Sequence, residues 1–181
     1  APHSTISEII RQRIRTNGDR FWAGDNISDY MEDGYKEMLI EELTEKFEGV
    51  LDSLIIDRET DPNSQGTARR LAKMYVQELF SGLDPKNEPA ISLFDNNYKY
   101  NGMLVEKDID LYSVCEHHFV PIVGKVHVAY YAKDKVIGLS KINRVVQHFA
   151  KRPQVQERLT IQIVKKLQDI LGTEDVACIV D

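Results

Sequence analysis

The stretch 111-LYSVCEHHFVPIVGK-125 sets one cysteine and two adjacent histidines between two apolar runs. Cys115, Glu116, His117 and His118 stand in a row, and two of the chain's five histidines are among them. The flanks are rich in β-branched and aromatic residues, and Val126, Val128 and Tyr130 alternate with a period of two, the pattern of a half-buried strand. "DIDLYSVC" (108–115), "IVGKVHVAYYA" (122–132) and "KVIGLS" (135–140) therefore read as strands. "AKDKV" (132–136) reads as the turn of a hairpin, though without the Asn-Gly signal.

Downstream the period lengthens. Ser140 reads as the cap of a helix over 141–150, with Ile142, Val145, Val146 and Phe149 facing the core. Pro153 is suited to open the next helix as its first residue. Val155, Leu159, Ile163, Val164, Leu167, Ile170 and Leu171 give that helix an apolar stripe, Gly172 ends it, and "DVACIVD" (175–181) is a final strand.

Upstream, Leu39, Leu43, Phe47, Val50, Leu51 and Leu54 recur at helical spacing, and "DRETDPNSQGT" (57–67) is a loop by its Asp, Pro, Asn and Gly content. A second helix follows in "TARRLAKMYVQELFSGLDP" (67–85), with Thr67 as cap, Gly82 as stop and Pro85 barring resumption. Residues 1–30 are polar and read as an irregular arm in which Phe21 and Trp22 are free to dock elsewhere, on a neighbouring subunit for instance. The expected division is an arm (1–30), a helical region (31–88) and an α+β domain (89–181). The fold class is α+β: N-terminal helices, then an antiparallel sheet with two helices packed on one face.

At 181 residues, with 42% hydrophobic and 29% charged residues, the chain is long enough for one core or a core plus an appendage. Its net charge of −6 and the lack of interleaved aromatic and basic residues argue against nucleic acid and anionic membranes as partners. Any anionic ligand must be met by a local cluster of base. There is no run of about 18 apolar residues and no apolar signal segment in "APHSTISEII" (1–10). Cys115 and Cys178 cannot make a disulfide framework, which points to free thiols and a cytoplasmic setting.

Thiolate and imidazole are preferred ligands of zinc. Cys115 and His118, three residues apart, can close on one ion as half of a site, leaving His117 free to exchange protons near neutral pH. A buried thiol with two hydrogen-bonded histidines at a strand end has the same spacing. "GLSKINRVVQHFAKRPQVQERLT" (138–160) puts Ser140, Lys141 and Arg144 at one helix start and Gln156 and Glu157 at the next. A helix N-terminus with Lys and Arg suits phosphate, and a carboxylate can accept N1–H and the 2-amino group of guanine. Glu157 as a first-turn residue favoured by the helix dipole, and Lys141 and Arg144 as solvated side chains, are the plainer alternatives. Arg70 and Lys73 share a helix face, for which a solvated basic edge is the ordinary reading.

The blocks "RRLAKMYVQELFSGL" (69–83), "CEHHFVPIVGKVHVAY" (115–130) and "IGLSKINRVVQHFAKRPQVQERLT" (137–160), in that order, resemble GTP cyclohydrolase I over roughly residues 35–181. The resemblance implies the tunnelling fold and hydrolysis of GTP to formate and 7,8-dihydroneopterin triphosphate, the first step of tetrahydrofolate and pterin biosynthesis. It implies that Cys115 and His118 ligate zinc, that His117 is the acid/base, and that Glu157 with Gln156 holds guanine. Ser140, Lys141 and Arg144, with Arg70 and Lys73, would hold the triphosphate, Ser140 also assisting the later rearrangement. The family assembles as an allosteric homo-oligomer, a decamer of two pentameric rings with sites between subunits.

One departure stands out. The family's third zinc ligand is the cysteine of a His-x-Cys motif after the strand that "DVACIVD" resembles, and the sequence stops at Asp181, ahead of it. A trimmed C-terminus is the expectation. Cys178 lies within the strand itself and is not expected to be a ligand. The competing reading is a noncatalytic nucleotide- or pterin-binding relative without a complete zinc site. A related pterin- or deazapurine-processing enzyme on the same fold is disfavoured, because the Cys-Glu-His-His and Gln-Val-Gln-Glu blocks occur together.

Overall fold

The computed structural model describes residues 4–22 and 25–181. The chain divides into two compact units, residues 1–85 and 86–181.

The first unit is helical. Helix α1 (Ile6–Thr16) occupies part of the stretch expected to be an irregular arm. Thr5 caps it by accepting from the Glu8 N–H, while the Glu8 carboxylate accepts from the Thr5 N–H. This reciprocal box fixes where the helix starts. Ile6, Ile10 and Ile14, four apart, form a buried stripe against Ile27, Tyr30, Met31, Tyr35 and Leu39. The Arg11 and Arg15 guanidiniums lie over the Phe21 ring at 5.8 and 5.2 Å; Ala23 and Gly24 of the same stretch lie outside the described residues.

Helix α2 (Tyr35–Ser53) and helix α3 (Thr67–Lys73) follow. Thr67 is the first residue of α3 and not its cap; the cap position is Gly66, whose φ of +74° is a left-handed conformation that glycine adopts at no steric cost. The α-helix also ends before Gly82, passing at Met74–Leu79 into a wider π-type turn. That widening seats Tyr75 between Phe47 and Phe80, at ring separations of 5.6 and 5.5 Å.

The second unit is the expected α+β arrangement. Its strands are β1 (Leu93–Asp95), β2 (Met103–Cys115), β3 (Pro121–Tyr131), β4 (Lys135–Ile137), β5 (Pro153–Gln154) and β6 (Val176–Val180). The main sheet runs β5-β2-β3-β6, antiparallel except for the short parallel pairing of β5 with β2. Helices α4 (Leu139–Ala150) and α5 (Gln156–Leu171) cover one face. Val145, Val146 and Ile163 meet Leu111, Val126 and Val128 there, all essentially excluded from water.

Three local expectations are revised. The segment 132–136 does not close a hairpin, because β4 leaves the main sheet and pairs with β1. Ser140 lies in the first turn of α4, whose cap position is Gly138. Pro153 opens no helix: with Gln154 it pairs along β2, and α5 begins at Gln156. Proline is tolerated there because an edge position asks nothing of its missing N–H.

A bulge in β2 between Glu106 and Ile109 sets the side-chain register. Asp108 sits at φ +60° and donates its N–H to His127 Nδ1 at 3.1 Å. The one extra residue flips the alternation, so that Leu104 and Glu106 turn inward before the bulge and Ile109, Leu111 and Ser113 after it. Strand β2 thereby delivers Cys115 to the sheet end with its core-facing neighbours still buried. Among the described residues no helix is long and apolar enough to cross a membrane.

Candidate active site

Residues 116–120 bridge β2 and β3 as a tight turn. The Cys115 N–H donates to Val120 O at 2.9 Å, and the Phe119 N–H returns to Cys115 O at 2.8 Å. Closing so short a turn puts Phe119 at φ +55°, an uncommon conformation for a bulky aromatic residue. The result is a half-buried Cys115 with exposed His117 and His118 beside it. His117 Nδ1 lies 3.4 Å from the Cys115 sulfur.

The turn is tied to the start of α5. Cys115 pairs with Gln154 in the parallel ladder, and the Glu116 N–H donates to Gln154 O at 3.0 Å. Arg158 grips the Glu116 carboxylate with both terminal nitrogens, at 2.7 and 3.1 Å. The Arg158 guanidinium holds the Glu116 carboxyl below its ordinary pKa. Gln154 is fully buried, its amide nitrogen donating to Phe149 O at 2.8 Å and Gln162 Oε1 at 2.7 Å.

Gln156 and Glu157 occupy the first turn of α5, both exposed, and Gln156 Nε2 donates to Val180 O at 2.9 Å. Ser140, Lys141 and Arg144 stand in the first turns of α4. Neither helix is capped by the side chain of its N-cap residue, Gly138 or Val155. Arg70 and Lys73 are exposed on α3 of the other unit. Arg70 donates to Gln65 O, Asn63 O and Thr67 Oγ1 at 2.9, 3.0 and 2.7 Å.

The donor chemistry of the turn suits a zinc ion: a thiol and two imidazoles on one short segment, two of them accessible. Among the described residues no group of three or more His, Cys, Asp or Glu is arranged to hold a metal. Cys178 is the chain's other cysteine. It packs against the core on β6, and burial pushes its thiol up to about 11, the opposite of what a metal thiolate needs. Sequence reasoning overlooked Glu116, Gln154, Arg158 and the strained Phe119; opposite charges 42 residues apart give no local signal of their pairing.

The sequence profile of GTP cyclohydrolase I matches residues 43–181. The chain belongs to this family. It is 52% identical over 167 residues to "GTP cyclohydrolase 1" of Flavobacterium johnsoniae, covering 91% of this chain and 74% of that protein. It is 60% identical over 122 residues to the protein of the same name from Yersinia pseudotuberculosis, covering 67% and 56% respectively. The Aeromonas salmonicida relative is 54% identical over 137 residues, 74% of this chain and 62% of the relative. The chain thus spans less than two thirds of the Yersinia and Aeromonas family members and about three quarters of the Flavobacterium one.

Proposed function

We propose that this chain hydrolyses GTP at C8 of the purine, releasing that carbon as formate and reclosing the ring as 7,8-dihydroneopterin triphosphate, the entry to tetrahydrofolate and other pterins. The carrying observation is the Cys115–His118 turn, held beside the α5 start that bears Gln156 and Glu157. In a member of the GTP cyclohydrolase I family, that arrangement puts candidate chemistry and candidate base recognition on adjoining backbone.

Cys115 and His118 would hold zinc. Bound there, zinc would lower the pKa of a coordinated water to about 7 and so supply the hydroxide for C8. His117, with Nδ1 turned to the Cys115 sulfur, has Nε2 left to exchange a proton with the opening imidazole ring. The Glu157 carboxylate accepts from guanine N1–H and the 2-amino group. Gln156, its amide nitrogen committed to Val180 O, offers its carbonyl oxygen alongside. The positive N-terminal end of α4, together with Ser140, Lys141 and Arg144, receives the triphosphate, and Arg70 and Lys73 add positive charge. Ser140 also assists the later rearrangement.

The working form in this reading is a cytoplasmic homo-oligomer, a decamer of two pentameric rings. Supporting assembly, the sheet face turned away from α4 and α5 exposes Tyr112, Val123 and Ile179 at 55, 70 and 64%. Zinc-loaded full-length protein given GTP should release formate and a fluorescent pteridine in equal amounts. GTP binding with no formate contradicts the proposal and favours the noncatalytic nucleotide- or pterin-binding alternative.

A further inference from the structure

Two residues with no chemistry assigned to them, one within the reactive turn and one at the guanine-binding helix start, interlock through their side chains. Glu116 sits between Cys115 and His117, and Arg158 directly follows Glu157. Each shares backbone with a proposed functional group while its own side chain turns to the other, in a fork of 2.7 and 3.1 Å. Arg158 Nη1 also reaches Pro153 O at 3.3 Å. Beneath the fork, the Glu116 N–H bonds Gln154 O, and the buried Gln154 side chain anchors β5 to Phe149 and Gln162.

From this geometry we infer that Glu116 and Arg158 are positioning residues, a brace that fixes the Cys115–His118 turn in register with Gln156 and Glu157. The inference rests on the proposed zinc and GTP chemistry of the turn. The pair is part-buried, with side chains 20 and 32% accessible, and its bidentate fork restricts both distance and orientation. Displacement of reacting groups by about 1 Å can cost about a hundredfold in rate, so the brace acts on the chemical step more than on ground-state affinity.

The test is a double-mutant cycle in the full-length protein: Glu116→Gln, Arg158→Gln, both together, and the exchanged pair Glu116→Arg with Arg158→Glu. Readouts are kcat and KM for GTP, the visible spectrum of the cobalt(II)-substituted protein, and the melting temperature. Each single variant should lose about tenfold or more in kcat with a smaller change in KM, and the double variant should be no worse than the poorer single. The exchanged pair should recover part of the loss, and the cobalt spectrum should shift in both singles. Singles within about twofold of wild-type kcat, or losses that multiply in the double variant, overturn the brace. So does an unmoved cobalt spectrum with losses that merely track melting. Should the wild type fail to turn over GTP, the functional reading falls while the cobalt spectra still decide the brace: shifted and non-additive supports it, unmoved overturns it.

Discussion

The Cys115–His118 turn and helix α3, with the 57–66 loop before it, both carry residues that the family resemblance marks for ligand binding, and they are held in opposite ways. In the turn, structural work falls to bystanders: Glu116, Arg158 and Gln154 make the ties, and His117 and His118 remain exposed. In the second region the marked residue does the work itself, with Arg70 of α3 donating to Asn63 and Gln65 of the loop and to Thr67 of its own helix. A guanidinium carries five N–H donors, so Arg70 can meet a phosphate only with those the loop leaves over. The contrast teaches that a motif names residue types, whereas their existing hydrogen bonds decide whether a side chain starts free or must share itself.

Substitutions can sharpen this contrast. The largest effect belongs to the turn. His117→Ala should lower kcat by about 10²–10⁴-fold while GTP affinity, measured by equilibrium dialysis, stays close to wild type. Parallel losses of binding and rate would refute an acid/base role for His117. Glu157→Ala should instead act on binding, weakening GTP by about 1–3 kcal/mol because an unpaired guanine edge in a closed pocket is costly.

Arg70→Lys separates the two duties in the loop. Lysine keeps the charge and loses the fork, so hydrogen exchange over residues 57–66 should quicken, with a local cost of about 1 kcal/mol. Unchanged exchange would show that the loop does not depend on Arg70.

The smallest effect lies away from both regions, at His148. Burial first, and then Arg152, hold this imidazole down to about 4 from its usual 6.5, with Glu88 opposing and Lys166 adding to the shift. Arg152 Nη2 lies 3.0 Å from His148 Nε2, which is the acceptor while the ring is neutral. As pH falls through 6.5 the unfolded chain takes up a proton that the native ring refuses until about 4. This contribution is therefore complete above the ordinary histidine value and drains away between the two. The ring is part-exposed, so after solvent screening it amounts to about 1 kcal/mol. Thermal melts of His148→Gln should show a shallower decline over that window; an identical decline would remove His148 as its source.

The legible parts of the fold were those whose cause is local. The stripe Leu159, Ile163, Leu167 and its stop at Gly172 lie in one contiguous segment, and α5 follows them with a left-handed cap at φ +63°. The capping box of α1 was equally local, as Thr5 followed three residues later by Glu8, and the polar residues around it obscured it. What escaped depends on partners far along the chain. β4 pairs with β1 across 40 residues, and Pro153 becomes a strand only because the end of β2 lies beside it. At the site, the three-residue spacing pointed to Cys115 with His118, whereas the fold brings His117 Nδ1 to 3.4 Å from the Cys115 sulfur, and the Glu116–Arg158 fork likewise required the fold.

The most direct test of the central claim is zinc analysis with X-ray absorption on the full-length, active protein, before and after Cys115→Ser. The account predicts about one zinc per chain, with sulfur at about 2.3 Å and imidazole nitrogen at about 2.0 Å, and a loss of sulfur scattering in the variant. An active protein without zinc, or a sulfur shell indifferent to Cys115, would contradict it.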